Sequence, residues 1–228
     1  MGSITDNLQH VRQRILHACV ESGRKPADVR LLAVSKTFDA SAVREAHAAG
    51  QQAFGENYVQ EALDKIAALA DLRPQLEWHL IGPLQSNKTR AVAEAFDWVH
   101  AVDRLKIAER LSVQRPPHLG ALQICLQVNI SGEASKSGVA PAEVPAMAQA
   151  VAALPRVVLR GLMSIPEPSA DARTQRIPHR ALRELLAALR AQGLGLDTLS
   201  MGMSADLEAA VAEGSTLLRI GTAIFGSR

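Results

Sequence analysis

A single ammonium closes an otherwise apolar run, Leu31-Leu32-Ala33-Val34-Ser35-Lys36-Thr37, with nothing acidic beside it. The run has strand composition, and the two-residue side-chain period puts Leu32, Val34 and Lys36 on one face. If that face is the core, Lys36 is partly withdrawn from water. Withdrawal favours the neutral, nucleophilic amine, which attacks a carbonyl to form a Schiff base. The alternative is a strand-end lysine that snorkels into solvent. Lys88 and Lys136 stand at other strand-to-helix connections and compete for the amine role. Lys136, in the small polar loop 131–138, is expected to be less perturbed than Lys36 and to meet ligand entering or leaving.

A covalent amine needs a grip on the rest of its ligand. Ser200-Met201-Gly202-Met203-Ser204 is small and hydroxyl-bearing and precedes a helical stretch from Ala205, whose amides and dipole favour an anion. Gly221 lets the backbone approach closely, and Thr222 adds a hydroxyl and an amide. Read without a ligand, Ser204 is a helix cap and Gly221 a turn residue. Arg219 lies inside an apolar run, where a permanent charge needs an acceptor: a ligand phosphate, a pyridine nitrogen or a protein carboxylate. Asn57 donates to a ring oxygen or orients Lys36, or it caps a turn. Met201 packs against a flat ring, with Met163 and Ser164 at the same mouth, or all three are ordinary packing. His79 reads as a hydrogen-bonded core histidine rather than a catalyst. Glu56 reads as a local cap or ion-pair partner, not as one of an acid/base pair with Glu133.

These residues need elements to carry them. Ile4, Leu8, Val11, Ile15 and Cys19 recur at helical steps, so an amphipathic helix comes first, with Gly23 near its end. Strands are then expected at 31–37, 52–54, 77–81, 97–102, 122–130, 157–165, 196–200 and 217–220. Helices alternate with them at 41–49, from Val59 to before Pro74, and at 87–95, 104–114, 141–154, 178–192 and from Ala205 to Gly214. Eight short strands separated by amphipathic helices, without a composition break, predict a single-domain (β/α)8 TIM barrel over 1–228 with an extra N-terminal helix. The doubly wound alternative would usually carry a glycine-rich fingerprint after its first strand, and Ser35-Lys36-Thr37-Phe38 is not one. In such barrels ligands bind at the C-terminal ends of the strands, often with a phosphate after strands seven and eight, where the two candidate loops fall.

Composition narrows the class. Of 228 residues 47% are hydrophobic, enough for one sizeable core, and 25 Lys and Arg against 23 Asp and Glu leave a dispersed net charge of +2. Without basic runs, nucleic acid is not expected as a partner. Cys19 and Cys125 match neither a disulfide framework nor metal spacing and are expected to be reduced. The first residues lack a leader pattern and no apolar run reaches spanning length, so no membrane association and a cytoplasmic location are expected.

The chain also resembles a known family. Ala33-Val34-Ser35-Lys36-Thr37, Phe54-Gly55-Glu56-Asn57-Tyr58-Val59-Gln60-Glu61, His79-Leu80-Ile81-Gly82-Pro83-Leu84-Gln85, Val128-Asn129-Ile130-Ser131-Gly132-Glu133, Gly161-Leu162-Met163, Ser200-Met201-Gly202-Met203-Ser204 and Arg219-Ile220-Gly221-Thr222 are similar to motifs of the pyridoxal phosphate homeostasis proteins. Those are single barrels related to the N-terminal domain of alanine racemase. The resemblance implies pyridoxal 5'-phosphate held as a Schiff base on Lys36, its phosphate on Ser204, Gly221 and Thr222, and Arg219 near the ring; the residue reading adds Asn57 and Met201 to the expected cofactor site. It further implies supply or buffering of the cofactor for PLP-dependent apoenzymes, without established turnover. A small amino-acid racemase is the rival reading, and it needs a second acid/base opposite the lysine. The one tyrosine, Tyr58, sits at an expected helix start. A second rival is a cofactor-free sugar-phosphate barrel with Lys36 as an aldolase-type lysine. An arginine at the pyridine nitrogen would keep that nitrogen unprotonated and the ring a weak electron sink. With no added oligomerisation segment in view, a monomer is expected.

Overall fold

Eight strands lie side by side in chain order and the last closes on the first. They are β1 (Arg30–Val34), β2 (Ala53–Glu56), β3 (Glu77–Leu80), β4 (Trp98–Val102), β5 (Leu122–Gln127), β6 (Val157–Met163), β7 (Thr198–Ser200) and β8 (Leu217–Ile220). Every pairing is parallel. The computed structural model describes residues 2–132 and 137–226, and the expectation placed on Lys136 lies outside them.

The connections are α2 (Ala40–Ala48), α3 (Val59–Ala68), α4 (Thr89–Ala95), α5 (Leu105–Gln114), α6 (Val144–Ala152), α7 (Ala172–Ala191) and α8 (Leu207–Ala212), with α1 (Ile4–Glu21) ahead of the barrel and α9 (Thr222–Phe225) after it. This is the expected (β/α)8 barrel with an added N-terminal helix. No described helix is long and apolar enough to cross a membrane. Helix α1 starts at a capping box in which Ser3 and Asp6 bond reciprocally. Its apolar stripe of Leu8, Val11, Ile15 and Cys19 is buried, and it packs on α2, α8 and α9.

Among the boundaries that depart from expectation, two stand out. Helix α7 begins at Ala172 rather than Pro178, because Asp171 caps it through Thr174 N and the helix carries Pro178 within its second turn. The first strand stops at Val34 rather than running through Lys36. Its pleat sends Ala33 to the large core between barrel and helices, and Leu32 and Val34 to a separate interior cluster with Ala53, Ile81 and Leu217. A second interior cluster holds Trp98, Ala101, Cys125 and Met163. Between them the barrel interior is polar, with buried His79, His100, Ser200 and Arg219.

Candidate ligand site

Lys36 sits at the second position of a tight turn. Phe38 N donates to Ser35 O at 3.1 Å, closing Ser35–Phe38, and Thr37 takes φ 67°. A positive φ at the third position is usually left to glycine, and a β-branched residue there is strained. The strain is held by a buried clamp. Lys65 Nζ donates to Ser35 O at 2.8 Å and to Glu56 Oε1 at 2.6 Å, Ser35 Oγ donates to the same Glu56 oxygen at 2.6 Å, and Thr37 N donates to Glu61. Both neighbours of Lys36 are therefore fixed from beneath. Burial raises the Glu56 carboxyl above its usual range, against the opposing pull of Lys65 and Ser35.

The half-buried Lys36 side chain borders a cleft of about 580 Å³ at the C-terminal ends of the strands, together with Asn57, Arg219, Ser204, Gly221 and Thr222. Val34, Ile81, Ile165 and Met203 supply apolar wall. Clefts of about 580 and 560 Å³ also open at the N-terminal ends of the strands. The chemistry distinguishes the C-terminal one, since it joins an amine to a buried cation and to small hydroxyl-bearing loops. Asn57 Oδ1 is buried with no hydrogen-bond partner among the described residues, and so is Ser164 Oγ. A buried polar atom without a partner costs about 1–3 kcal/mol, so Asn57 Oδ1, whose residue lines the cleft, points to a polar occupant. Gly82 makes the placement of Asn57 possible, because a Cβ there would stand 2.2 Å from Asn57 O.

Arg219 is 3% exposed. Its described hydrogen bonds go to neutral oxygens: Ser200 O at 2.5 Å and Ser200 Oγ at 2.8 Å from Nη1, and Ser164 O at 2.8 Å from Nη2. Burial lowers its pKa to about 10, with Asp206 pulling the other way, so the group stays cationic at neutral pH. A buried cation bonded to neutral acceptors has charge left for a ligand.

The loops are anchored from outside the barrel. Gly202, at φ 95°, lets the chain leave β7 against Ala210 and Leu218, where a Cβ would come within 2.4 Å of Ala210 Cβ. Asp206 Oδ1 accepts from Met203 N at 2.7 Å and Oδ2 pairs with His179 Nε2 at 2.9 Å. Although burial raises the Asp206 carboxyl, the His179 and Met203 bonds outweigh it and hold it below its usual range. Arg14 of α1 donates to Ser204 O at 3.1 Å and to Glu208, and Asn7 donates to Ile224 O at 2.8 Å. The extra helix thus fixes both loops.

Six of the seven expected site residues meet in this cleft. Met201 does not: Ser200 points inward to Arg219, so its neighbour turns outward and is fully buried in the core beneath the helices. Met203 takes the wall position. The helix expected from Ala205 begins at Leu207 with Asp206 at its cap position, so Ser204 is not the cap. Lys88 and Tyr58 are exposed and outside the cleft, and Glu56 is a local ion-pair partner. Sequence reasoning missed Lys65, although Glu61 four residues before it and Glu56 at the strand end were available as signals. It also missed His100 and Glu77, the neighbours of His79.

Residues 2–228 match the model of the alanine racemase N-terminal domain. The pyridoxal phosphate homeostasis protein of Pseudomonas aeruginosa is 63% identical over 228 residues, covering 100% of this chain and 97% of that one. The chain belongs to this family of alanine racemase-like barrels. A family member from Escherichia coli K12 is 54% identical over 229 residues, covering 100% of this chain and 98% of its own. Among solved structures, PipY of Synechococcus elongatus with PLP bound is 41% identical, with a TM-score of 0.86 over 98% of this chain and 100% of that chain. The alanine racemase of Corynebacterium glutamicum, at 20% identity and a TM-score of 0.69, covers 98% of this chain but only 61% of the racemase, and shares the fold.

Proposed function

We propose that the protein binds pyridoxal 5'-phosphate at this cleft and buffers or delivers it, rather than turning over a substrate. The observation that carries the reading is the convergence of Lys36, Arg219 and the loops of β7 and β8 on one cleft. Lys36 Nζ would hold the aldehyde carbon covalently, Ser204, Gly221 and Thr222 would receive the phosphate, and Arg219 would face the ring. The unpartnered Asn57 Oδ1 and the guanidinium bonded to neutral oxygens fit such a polar, anionic occupant. The names of the full-length relatives agree with it. When bound, the cofactor supplies an electron-withdrawing ring. The chain's own groups damp that property, because an arginine at the ring nitrogen keeps its proton.

Lys36 and Arg219 are the only ionisable side chains among the described residues of the cleft wall. The reading without turnover rests on that pairing, since racemisation needs a second group placed to exchange a proton. On this reading the protein is a monomeric, cytoplasmic carrier whose recipients are apoenzymes lacking the cofactor.

Two measurements test this. Borohydride reduction after adding pyridoxal phosphate should place a mass adduct on Lys36 and abolish the visible band in Lys36→Ala; an unchanged adduct on Lys88 or Lys136 would overturn the site. Alanine or serine incubated in deuterated water should keep its α-hydrogen, and exchange at ordinary enzyme rates of about 1–1000 s⁻¹ would make the protein a racemase.

A further inference from the structure

A file of hydrogen bonds runs through the barrel from one mouth to the other. At the C-terminal end, Arg219 Nη1 donates to Ser200 Oγ at 2.8 Å, and Ser200 Oγ stands 2.7 Å from His100 Nδ1. His100 Nε2 is 2.9 Å from His79 Nδ1, and His79 Nε2 is 2.6 Å from Glu77 Oε1, which also accepts from Arg30 Nη2 at 2.7 Å. Glu77 and Arg30 border the cleft of about 560 Å³ at the N-terminal ends of the strands. His79, His100 and Ser200 are fully buried, and Trp98 stacks on His79 with centroids 5.3 Å apart.

The two ends set the direction of every proton between them. Arginine only donates and an ionised carboxylate only accepts. Ser200 Oγ accepts from Arg219 and has one hydrogen, which goes to His100 Nδ1. His100 then carries its proton on Nε2 and gives that bond to His79 Nδ1, so His79 carries its proton on Nε2 and gives that bond to Glu77. Two neutral imidazoles in the same tautomer satisfy the whole file. Protonating His100 would put a second charge beside Arg219 in the dry interior, and protonating His79 would turn its Nδ1 into a donor, forcing His100 to reverse and Ser200 Oγ to accept from both sides. Burial holds both rings below the usual histidine range, His100 further than His79 because His79, Arg219 and Arg30 add to it and His79 is supported by Glu77. Asp97, Asp206, Cys125 and Arg160 also act on the file, Arg160 through Glu77 and from over the Trp98 ring.

We propose that Glu77, His79, His100 and Ser200 are positioning residues for Arg219, a one-directional relay that fixes the guanidinium toward the ligand and makes it sensitive to the opposite mouth of the barrel. Without the acceptor at Glu77, both imidazoles are free to reverse. Ser200 Oγ then has to accept from His100 as well as from Arg219, and the Arg219 bond weakens. The effect on ligand rests on the proposed function, whereas the relay itself can be tested without ligand.

The test therefore has a ligand-free arm and a ligand arm. Nitrogen-15 spectra of histidine- and arginine-labelled ligand-free protein should show both rings as neutral Nε2–H tautomers that do not titrate across neutral pH. Glu77→Met should mix the tautomers of both rings and shift the Arg219 Nη resonances, while Glu77→Gln, which keeps an acceptor oxygen, restores them. Asp197→Asn breaks a carboxylate–Arg160 pair at the same mouth but outside the file, and should leave Arg219 unmoved. With pyridoxal phosphate added, Glu77→Met should shift the visible band and bind about tenfold more weakly, the effect of about one hydrogen bond. If Glu77→Met does not fold, Ser200→Ala tests the other end and should release the His100 tautomer. The opposite tautomer or ordinary titration in wild type, or His100 and Arg219 resonances unmoved in the folded variant, would overturn the relay. Failure of wild type to bind the cofactor would count against the proposed function alone.

Discussion

Lys65 Nζ lies 2.6 Å from Glu56 Oε1, with side-chain exposures of 3% and 0%, directly beneath the turn that presents Lys36. The pair is local in sequence, joining the end of β2 to the next helix, yet its second bond to Ser35 O ties it to β1. Removing one partner strands a buried charge. Lys65→Met is therefore expected to lower stability by about 3–5 kcal/mol in denaturant unfolding. The double variant Lys65→Met with Glu56→Leu should recover part of that loss, and both should weaken ligand capture by Lys36.

Thr37 carries the strain of that turn at φ 67°. Thr37→Gly removes an unfavourable left-handed conformation and is expected to raise stability by about 1 kcal/mol, the strain relieved less the added chain entropy. The same change frees the Lys36 backbone. Thermal unfolding should therefore rise while the rate of adduct formation with pyridoxal phosphate falls.

Gly82 is needed for its lack of a Cβ, since its added atom would meet Asn57 backbone atoms at 2.2, 2.7 and 2.8 Å. Gly82→Ala must displace the Asn57 backbone and is expected to cost about 1–3 kcal/mol as overpacking. Because Asn57 borders the cleft, cofactor titrations should show weaker binding as well.

Glu77 gives a pH signature. Burial raises its carboxyl, but the hydrogen bond from His79, the charge that this imidazole, neutral at neutral pH, gains once acid protonates it, and the charge and hydrogen bond of Arg30 outweigh it and hold the pKa at about 2, against 4.5 ordinarily. A depressed carboxylate contributes stability that is present above its unfolded pKa and lost as pH falls through the folded one. The stability advantage of wild type over Glu77→Gln should accordingly be constant above about pH 4.5 and shrink toward pH 2, followed by urea unfolding at stepped pH.

Both cysteines are free and buried, and burial pushes the Cys125 thiol up to about 12. Thiolate is the reactive form. Iodoacetamide should leave Cys125 unmodified in native protein and alkylate it once the chain is unfolded, read by intact mass.

The barrel was legible in the sequence because each strand is buried on both faces and each helix on one, so local composition and period report the alternation directly. The approximate place of Lys36, Asn57, Ser204, Arg219, Gly221 and Thr222 followed, since parallel barrels bring the C-terminal ends of all strands to one rim. Direction was harder. Whether Ser200 or Met201 faces inward is decided by pleat and register across β6, β7 and β8, and an error of one residue exchanges the two. The turn at Lys36 escaped period-based reading because Thr37 holds a backbone conformation its own side chain disfavours, which a clamp from α3 stabilises. The internal file joins β3, β4, β7 and β8, with His100 and Ser200 a hundred positions apart. No local pattern encodes such a partnership. It exists because closing the barrel removes His79, His100 and Ser200 from water and leaves their side chains only their neighbours in the file to bond with.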